Sequence, residues 1–223
     1  MQNEEQKSHI KSFVRRGYTT QGQRKALSSL NKYLINYQEG FICYNNYFKA
    51  SRIIAEVGFG NGAATLALAK ANPANLYLGL EVYPAGVGHL LMKIDEEKID
   101  NLYLINHDAV PVFNNMLPLN SLDGVHIFFP DPWPKKRHHK RRLLQPAFVN
   151  ILARHLKQDG YLYVVTDWQD YAEHILTTLT NEPLLINKYS GYSPPQEWRS
   201  VTKFEQKGLA KGHNIYELLF VKN

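Results

Sequence analysis

The sequence predicts an α/β fold, a doubly wound and mostly parallel seven-stranded sheet whose last strand runs antiparallel. Three observations carry that expectation. Strand-length hydrophobic runs alternate with helix-length amphipathic stretches through five successive units, the pattern of βα repeats joined by right-handed crossovers. The runs Ile53–Val57, Leu76–Leu80, Leu102–Ile105 and Val125–Phe129 are almost continuously apolar, as strands buried on both faces are. An acid stands in or just beyond the end of each: Glu56, Glu81, Asp108 and Asp131. Ligands of open α/β sheets bind beyond the carboxyl ends of the strands, so these carboxylates are expected to converge on one crevice that favours a cation.

The elements follow in order. Residues 1–50 read as a helical and irregular extension, expected either to fold over a substrate or to stay mobile without one. Residues 51–223 read as a single domain. Within the extension, Ala26, Leu27, Leu30 and Leu34 share one face of a helix expected over Gln21–Leu34. Strand Arg52–Val57 leads through a Gly-rich turn to helix Ala63–Ala71, and strand Leu76–Leu80 to helix Gly86–Glu97. Strand Leu102–Asn106 precedes a helix near Val110–Met116. Strand Gly124–Phe129 passes through a Pro-rich turn to helix Leu143–Leu156, and strand Tyr161–Thr166 leads to helix Asp170–Leu179. Two final strands, Leu184–Tyr189 and Ile215–Lys222, have no helix between them and should pair antiparallel at one edge.

Composition narrows the classes. At 44% hydrophobic residues over 223, the chain can fill a core. Cys43 is its only cysteine, which excludes an intrachain disulfide and a Cys-based zinc site. The histidines show no metal-ligand spacing, and no metal is expected. The first 25 residues are charged and lack an apolar core, and no run approaches 18 apolar residues, so neither a signal peptide nor a membrane span is expected. The expected setting is cytoplasmic, as a monomer or homodimer with no obligatory protein partner. The formal charge of +6 comes from one octamer, Lys135-Lys136-Arg137-His138-His139-Lys140-Arg141-Arg142. Its six Lys/Arg account for the whole excess, and their place just past a strand end suits a polyanion at the crevice mouth better than a merely solvated run.

The turn Glu56-Val57-Gly58-Phe59-Gly60-Asn61-Gly62-Ala63 lets a ligand approach backbone N–H groups at a helix start. It also satisfies the dinucleotide fingerprint G-x-G-x-x-A. Glu56 separates the two readings, because a carboxylate there repels a pyrophosphate and attracts an ammonium. Unit charges ~4 Å apart interact by roughly 4 kcal/mol at an effective dielectric of 20. S-adenosylmethionine, cationic and free of phosphate, is therefore the expected cofactor, with Gly58, Gly60 and Glu56 around it. Glu81 suits the ribose hydroxyls, or serves as a helix N-terminal carboxylate. Asp108 suits the adenine amino group, or caps the next helix.

The stretch Phe128-Phe129-Pro130-Asp131-Pro132-Trp133-Pro134, followed by the basic octamer, sets an acid, an aromatic ring and cations side by side. Prolines fix where Asp131 points, and the cations can take phosphate. That combination describes a nucleic-acid base site better than a small-metabolite site. Asp167 in "VTDW" and Glu205 in "TKFE" could accept the N–H groups of a guanine. Otherwise Asp167 is a strand-end cap and Glu205 a surface acid.

Taken together, "SFVRR" (Ser12–Arg16), "EVGFGNG", "LEVYPAGV", "FFPDPWPKKRHHKRR", "TDW" and "TKFE" resemble the single-chain bacterial tRNA (guanine-N7)-methyltransferases over nearly the whole chain. The resemblance implies a seven-stranded class I S-adenosylmethionine-dependent methyltransferase sheet. It also implies 7-methylguanine in the tRNA variable loop as product. It places S-adenosylmethionine at Glu56, Glu81, Asp108 and Asp131, and tRNA at Lys135, Asp167, Thr202, Lys203, Phe204 and Glu205. Asp131 is the expected catalytic carboxylate, while Arg137, Lys140, Arg141 and Arg142 are expected on the tRNA backbone. Two departures, Tyr83 where relatives have His and "GHNIYEL" at residues 212–218, are expected to lie off those residues. An exocyclic-amino RNA methyltransferase, an NAD(P)-dependent oxidoreductase and a non-catalytic RNA-binding protein remain the alternatives.

Overall fold

The computed structural model describes residues 18–199, 201, 205, 206, 209, 212 and 214–223. Seven strands form one sheet: β1 (Ile53–Val57), β2 (Leu76–Leu80), β3 (Leu102–Ile105), β4 (Leu122–Phe128), β5 (Leu156–Thr166), β6 (Leu185–Asn187) and β7 (Tyr216–Lys222). Their order is β3-β2-β1-β4-β5-β7-β6. The first five strands pair in parallel, and β7 runs antiparallel to both β5 and β6, as expected. The order reverses between β1 and β4, which makes the gap beyond their carboxyl ends the switch-point crevice.

Successive strand residues face opposite sides of the sheet, and each side has its own core. Ala55, Val57, Leu78 and Ile127 pack with α4 (Ala109–Asn115), α5 (Pro146–His155) and α6 (Gln169–Thr180). Ile54, Tyr77 and Leu104 pack with α1 (Gln21–Ser29), α2 (Ala63–Ala71) and α3 (Pro84–Glu97). No helix among the described residues is long and apolar enough to cross a membrane.

Three boundaries differ from expectation by three residues or more. The first helix ends at Ser29, not Leu34, because Leu30 leaves helical geometry and the chain then pairs with the open edge of β3. There Leu34 bridges Leu104, and the Ile35 N–H donates to the Leu104 carbonyl at 2.9 Å. Edge pairing outweighs one more helical turn. α5 begins at Pro146, since Gln145 before it takes the extended geometry that a following proline favours. β5 starts at Leu156 directly after α5, earlier than Tyr161.

Candidate active site

A cavity of about 680 Å³ opens at the carboxyl ends of β1, β2, β3 and β4. Its floor is the turn from β1 to α2, where Gly58, Gly60 and Gly62 all have positive φ. Two glycines are demanded by contact. A Cβ at Gly62 would overlap Leu90, and one at Gly86 would overlap the Gly60 carbonyl oxygen, so α3 starts flush against the turn. Of the acids and glycines expected around the cofactor, Gly58, Gly60, Glu81 and Asp131 line the cavity, while Glu56 lies behind its wall, next to the lining residue Val57.

Glu56 lies in β1 at 2% exposure, with no hydrogen-bond partner for Oε2. Burial pushes its carboxyl up to about 7, and the nearby Glu81 charge adds to the effect. Thr65 beside it acts in the opposite direction, but its Oγ1 has no hydrogen-bond partner and relieves little of the cost. A buried carboxylate oxygen left without a partner costs free energy. A cation arriving from the cavity offsets that cost, so the donor set fits a cationic cofactor.

Glu81 is held by three N–H donors. Its Oε2 accepts from Gly60 at 2.9 Å, and its Oε1 from Val82 at 2.8 Å and Tyr83 at 3.0 Å. These bonds tie the end of β2 to the Gly turn and leave lone pairs for further donors. Asp108 caps α4, its Oδ1 accepting from the Val110 N–H at 2.9 Å. The capping alternative thus holds for this residue, while its neighbours His107 and Ala109 line the cavity.

The loop after β4 carries Asp131, which is exposed at the cavity rim. Phe129 and Trp133 flank it with positive φ, a costly geometry for non-glycine residues. The Arg141 guanidinium lies 5.1 Å over the Trp133 ring, and both line the cavity. Lys135, Arg137 and Lys140 are exposed in and beside the 3₁₀ segment Lys136–Arg141.

Arg142 departs from the expected backbone-contacting role. It is 1% exposed, its Nε donates to the Pro132 carbonyl at 2.9 Å, and its Nη2 donates to Asp170. Its guanidinium also stacks 4.8 Å over Tyr171. It clamps the Pro-rich loop from below, and the exposed basic run holds five cations rather than six.

Glu205 is likewise not a surface acid. At 4% exposure it accepts from both Arg199 terminal nitrogens, at 2.5 and 2.8 Å. Arg199 also donates to Glu217 of β7 at 2.5 Å, and its Nε donates to the Tyr163 hydroxyl of β5 at 3.2 Å. With both oxygens committed to Arg199, Glu205 faces the sheet, and it does not line the cavity. Asp167 is half-buried at the end of β5, and neither it nor Lys135 lines the cavity. Thr202, Lys203 and Phe204 lie outside the described residues.

The sequence reading missed one wall. Tyr18, Thr20 and Gln23 line the cavity because α1 docks on α3, where a Cβ at Gly88 would come within 2.8 Å of Gln23. A signal existed: Thr20-Gln21-Gly22-Gln23 is a capping box, with Thr20 and Gln23 exchanging hydrogen bonds at 2.8 and 3.3 Å. His107 was also missed, its ring stacked on Tyr37 at 4.0 Å. Tyr83 does adjoin the site, contrary to expectation. Its bond to Glu81 is through the backbone, so replacing a histidine there leaves that bond intact.

Comparison with known proteins agrees with this geometry. A family model described as "Putative methyltransferase" matches residues 50–218. The tRNA (guanine-N(7)-)-methyltransferase of Paracidovorax citrulli is 50% identical over 214 residues, covering 95% of this chain and 86% of the relative. That of Nitrosospira multiformis is 48% identical over 216 residues, covering 96% of this chain and 94% of the relative. Among solved structures, the 16S rRNA methyltransferase KamB superposes with a TM-score of 0.59 at 15% identity, over 78% of this chain and 89% of that one, and supports the class I methyltransferase fold. With half of its aligned residues shared across almost its full length, the chain belongs to the tRNA (guanine-N7)-methyltransferase family.

Proposed function

We propose that this protein transfers a methyl group from S-adenosylmethionine to N7 of a guanine in the tRNA variable loop. The observation that carries the proposal is Glu56, a buried carboxylate with an unpartnered oxygen, one residue before Val57, which lines the crevice together with Glu81 and Asp131. S-adenosylmethionine, when bound, supplies an electrophilic methyl group on a cationic sulfur. Glu56 opposes the ammonium of its methionyl part. Glu81, already oriented by three N–H donors, accepts from the ribose hydroxyls with its remaining lone pairs. Asp108 and the His107 ring bound the adenine end.

Guanine N7 holds its lone pair in the major-groove edge of the base, so no proton has to leave before it attacks. The reaction therefore demands placement more than acid–base chemistry, and in-line positioning can contribute ~7–11 kcal/mol. Asp131 orients the base at the rim and stabilises the positive charge that grows on its ring. Trp133 and Arg141 present a flat face beside it, and Lys135, Arg137, Lys140 and Arg141 attract the RNA backbone. Incubating purified protein with unmodified tRNA and methyl-labelled cofactor, then digesting the RNA and identifying the labelled nucleoside, tests the reading. 7-Methylguanosine is expected. An N2- or ribose-methylated product, or none, overturns it.

A further inference from the structure

The face of the sheet opposite α4, α5 and α6 is only partly covered by helices. α1, α2 and α3 cover β1, β2 and β3 there, whereas the rings of Tyr161, Tyr163 and His126 on β4 and β5 lie against Trp198. Between the turn that follows α2 and the segment that follows β6 lies a second cavity of about 360 Å³. It belongs to the other half of the sheet from the active site, with Arg52 and Ile54 at the start of β1, Tyr161 midway along β5 and Val221 late in β7 among its walls. Its size falls within the range of small-molecule sites.

The interior is aromatic and uncharged. Trp198 stacks on His126 with centroids 5.1 Å apart and an interplanar angle of 19°. The Tyr161 hydroxyl shares a hydrogen bond of 2.9 Å with Nε2 of His126. That geometry is built in: Gly124 faces Tyr161 across β4 and β5, and a Cβ at Gly124 would come within 2.5 Å of the Tyr161 ring. Nδ1 of His126 has no partner. Burial pushes the His126 imidazole down to about 3 and the Tyr161 and Tyr77 phenols up, so all three are neutral near pH 7. Asn72, Asn75 and Gln196 add amide groups to the walls. Charge is confined to exposed residues at the opening, where Arg52 and Lys188 outnumber Asp159.

Flat rings and neutral hydrogen-bonding groups inside, with cations outside, are what a nucleotide requires: stacking for the base, and amides and phenols for its edge. The cations at the opening suit its phosphate. We propose that this cavity is a second ligand site that takes a single nucleotide, its base among Trp198, Tyr77 and Tyr161 and its phosphate at Arg52 and Lys188. The nucleotide is either a free mononucleotide or one residue of a bound RNA chain. Trp198, at 39% exposure, is the wall able to shift as the base enters. The site stands apart from the proposed methyl transfer.

The test is calorimetric titration of the full-length protein with AMP, GMP and UMP, with adenosine and ribose 5-phosphate as separate arms. S-adenosylhomocysteine is kept saturating so that the carboxyl-end crevice is closed to them. A monophosphate is expected to bind, with ribose 5-phosphate at least about tenfold weaker for want of stacking. Lys188→Ala should weaken the monophosphate roughly threefold and leave adenosine unchanged. Trp198→Ala should weaken both, and Lys188→Ala, a surface change, keeps the test decisive if Trp198→Ala misfolds. If the monophosphate competes with tRNA, the nucleotide belongs to the RNA; if both bind together, it is free. Absence of binding at millimolar concentrations, or binding indifferent to both variants, overturns the proposal. Should the protein fail to hold S-adenosylhomocysteine, the titration is run without it, and the Lys188 dependence still assigns the site.

Discussion

With Glu56 opposing the cofactor's ammonium as proposed, cofactor binding should be proton-linked. Burial pushes the Glu56 carboxyl up to about 7, yet only the carboxylate can oppose an ammonium. If pairing returns the group to the ordinary acidic range, binding at pH 7 releases about half a proton per cofactor. Affinity should then rise with pH, since protonated protein must ionise before it binds. Between pH 6 and pH 7.5 the ionised fraction grows about eightfold while about a third of the cofactor's amino groups lose their charge, so the dissociation constant should fall about five- to sixfold. Above pH 8 the cofactor's own amino group loses its charge, because an α-amino group titrates at roughly 7.7–8.0, and affinity should decline again. The assay is titration calorimetry in two buffers of different ionisation enthalpy, with Glu56→Gln in parallel. The variant should bind more weakly and lose both the pH slope and the buffer dependence. Stability carries the opposite sign. A carboxyl with a raised folded-state pKa destabilises the fold progressively as pH rises from about 4.5 through about 7, by roughly 3 kcal/mol in full. Unliganded Glu56→Gln should therefore melt several degrees higher than the parent at pH 8. An affinity that is flat between pH 6 and 7.5, or a variant that binds as well as the parent, would refute the assignment of Glu56.

Other outcomes follow from the same geometry. Asp131→Asn should lower single-turnover methyl transfer about 10²–10³-fold while cofactor affinity changes little; equal losses would mean that Asp131 serves the cofactor only. Gly86→Ala puts a methyl into the Gly60 carbonyl, and should cost about 1–3 kcal/mol in denaturant unfolding and loosen the cofactor. Arg141→Ala and Arg142→Ala should part company: the first flattens the salt dependence of tRNA binding at unchanged melting temperature, and the second lowers the melting temperature. Arg199→Met leaves Glu205 and Glu217 buried without their cation, and should cost about 3–5 kcal/mol by denaturant melts.

The strand succession and the reversed last strand were legible because buried parallel strands write themselves as apolar runs, and because the final pair lacks a helix. Glu81 and Asp131 were legible as crevice acids because each stands just past a strand end, whereas Asp108, in a like position, caps α4. Several side-chain destinations were not. Arg142 reads like its five basic neighbours, and only the register of the 3₁₀ turn sends it inward to Pro132 and Asp170. Glu205 reads as a surface acid until β5, β7 and Arg199 come together, a long-range meeting that no local pattern announces. The α1 wall was hidden for a related reason. Its docking depends on Gly88, whose missing side chain registers only when two helices touch.

Neither Arg142 nor Arg199 lines the anionic crevice, although the chain carries a net charge of +6. Each is buried and saturated by its own partners, one beneath the Pro-rich loop and one between β5 and β7. Arg141, the cation that does line the cavity, lies over the Trp133 ring. Buried ion pairs contribute little net stability against apolar alternatives, and here they hold a geometry instead. Five exposed cations remain on the basic run, and these two arginines are committed inside the fold. Glu56 keeps one oxygen without a hydrogen-bond partner, and an incoming positive charge is what it lacks.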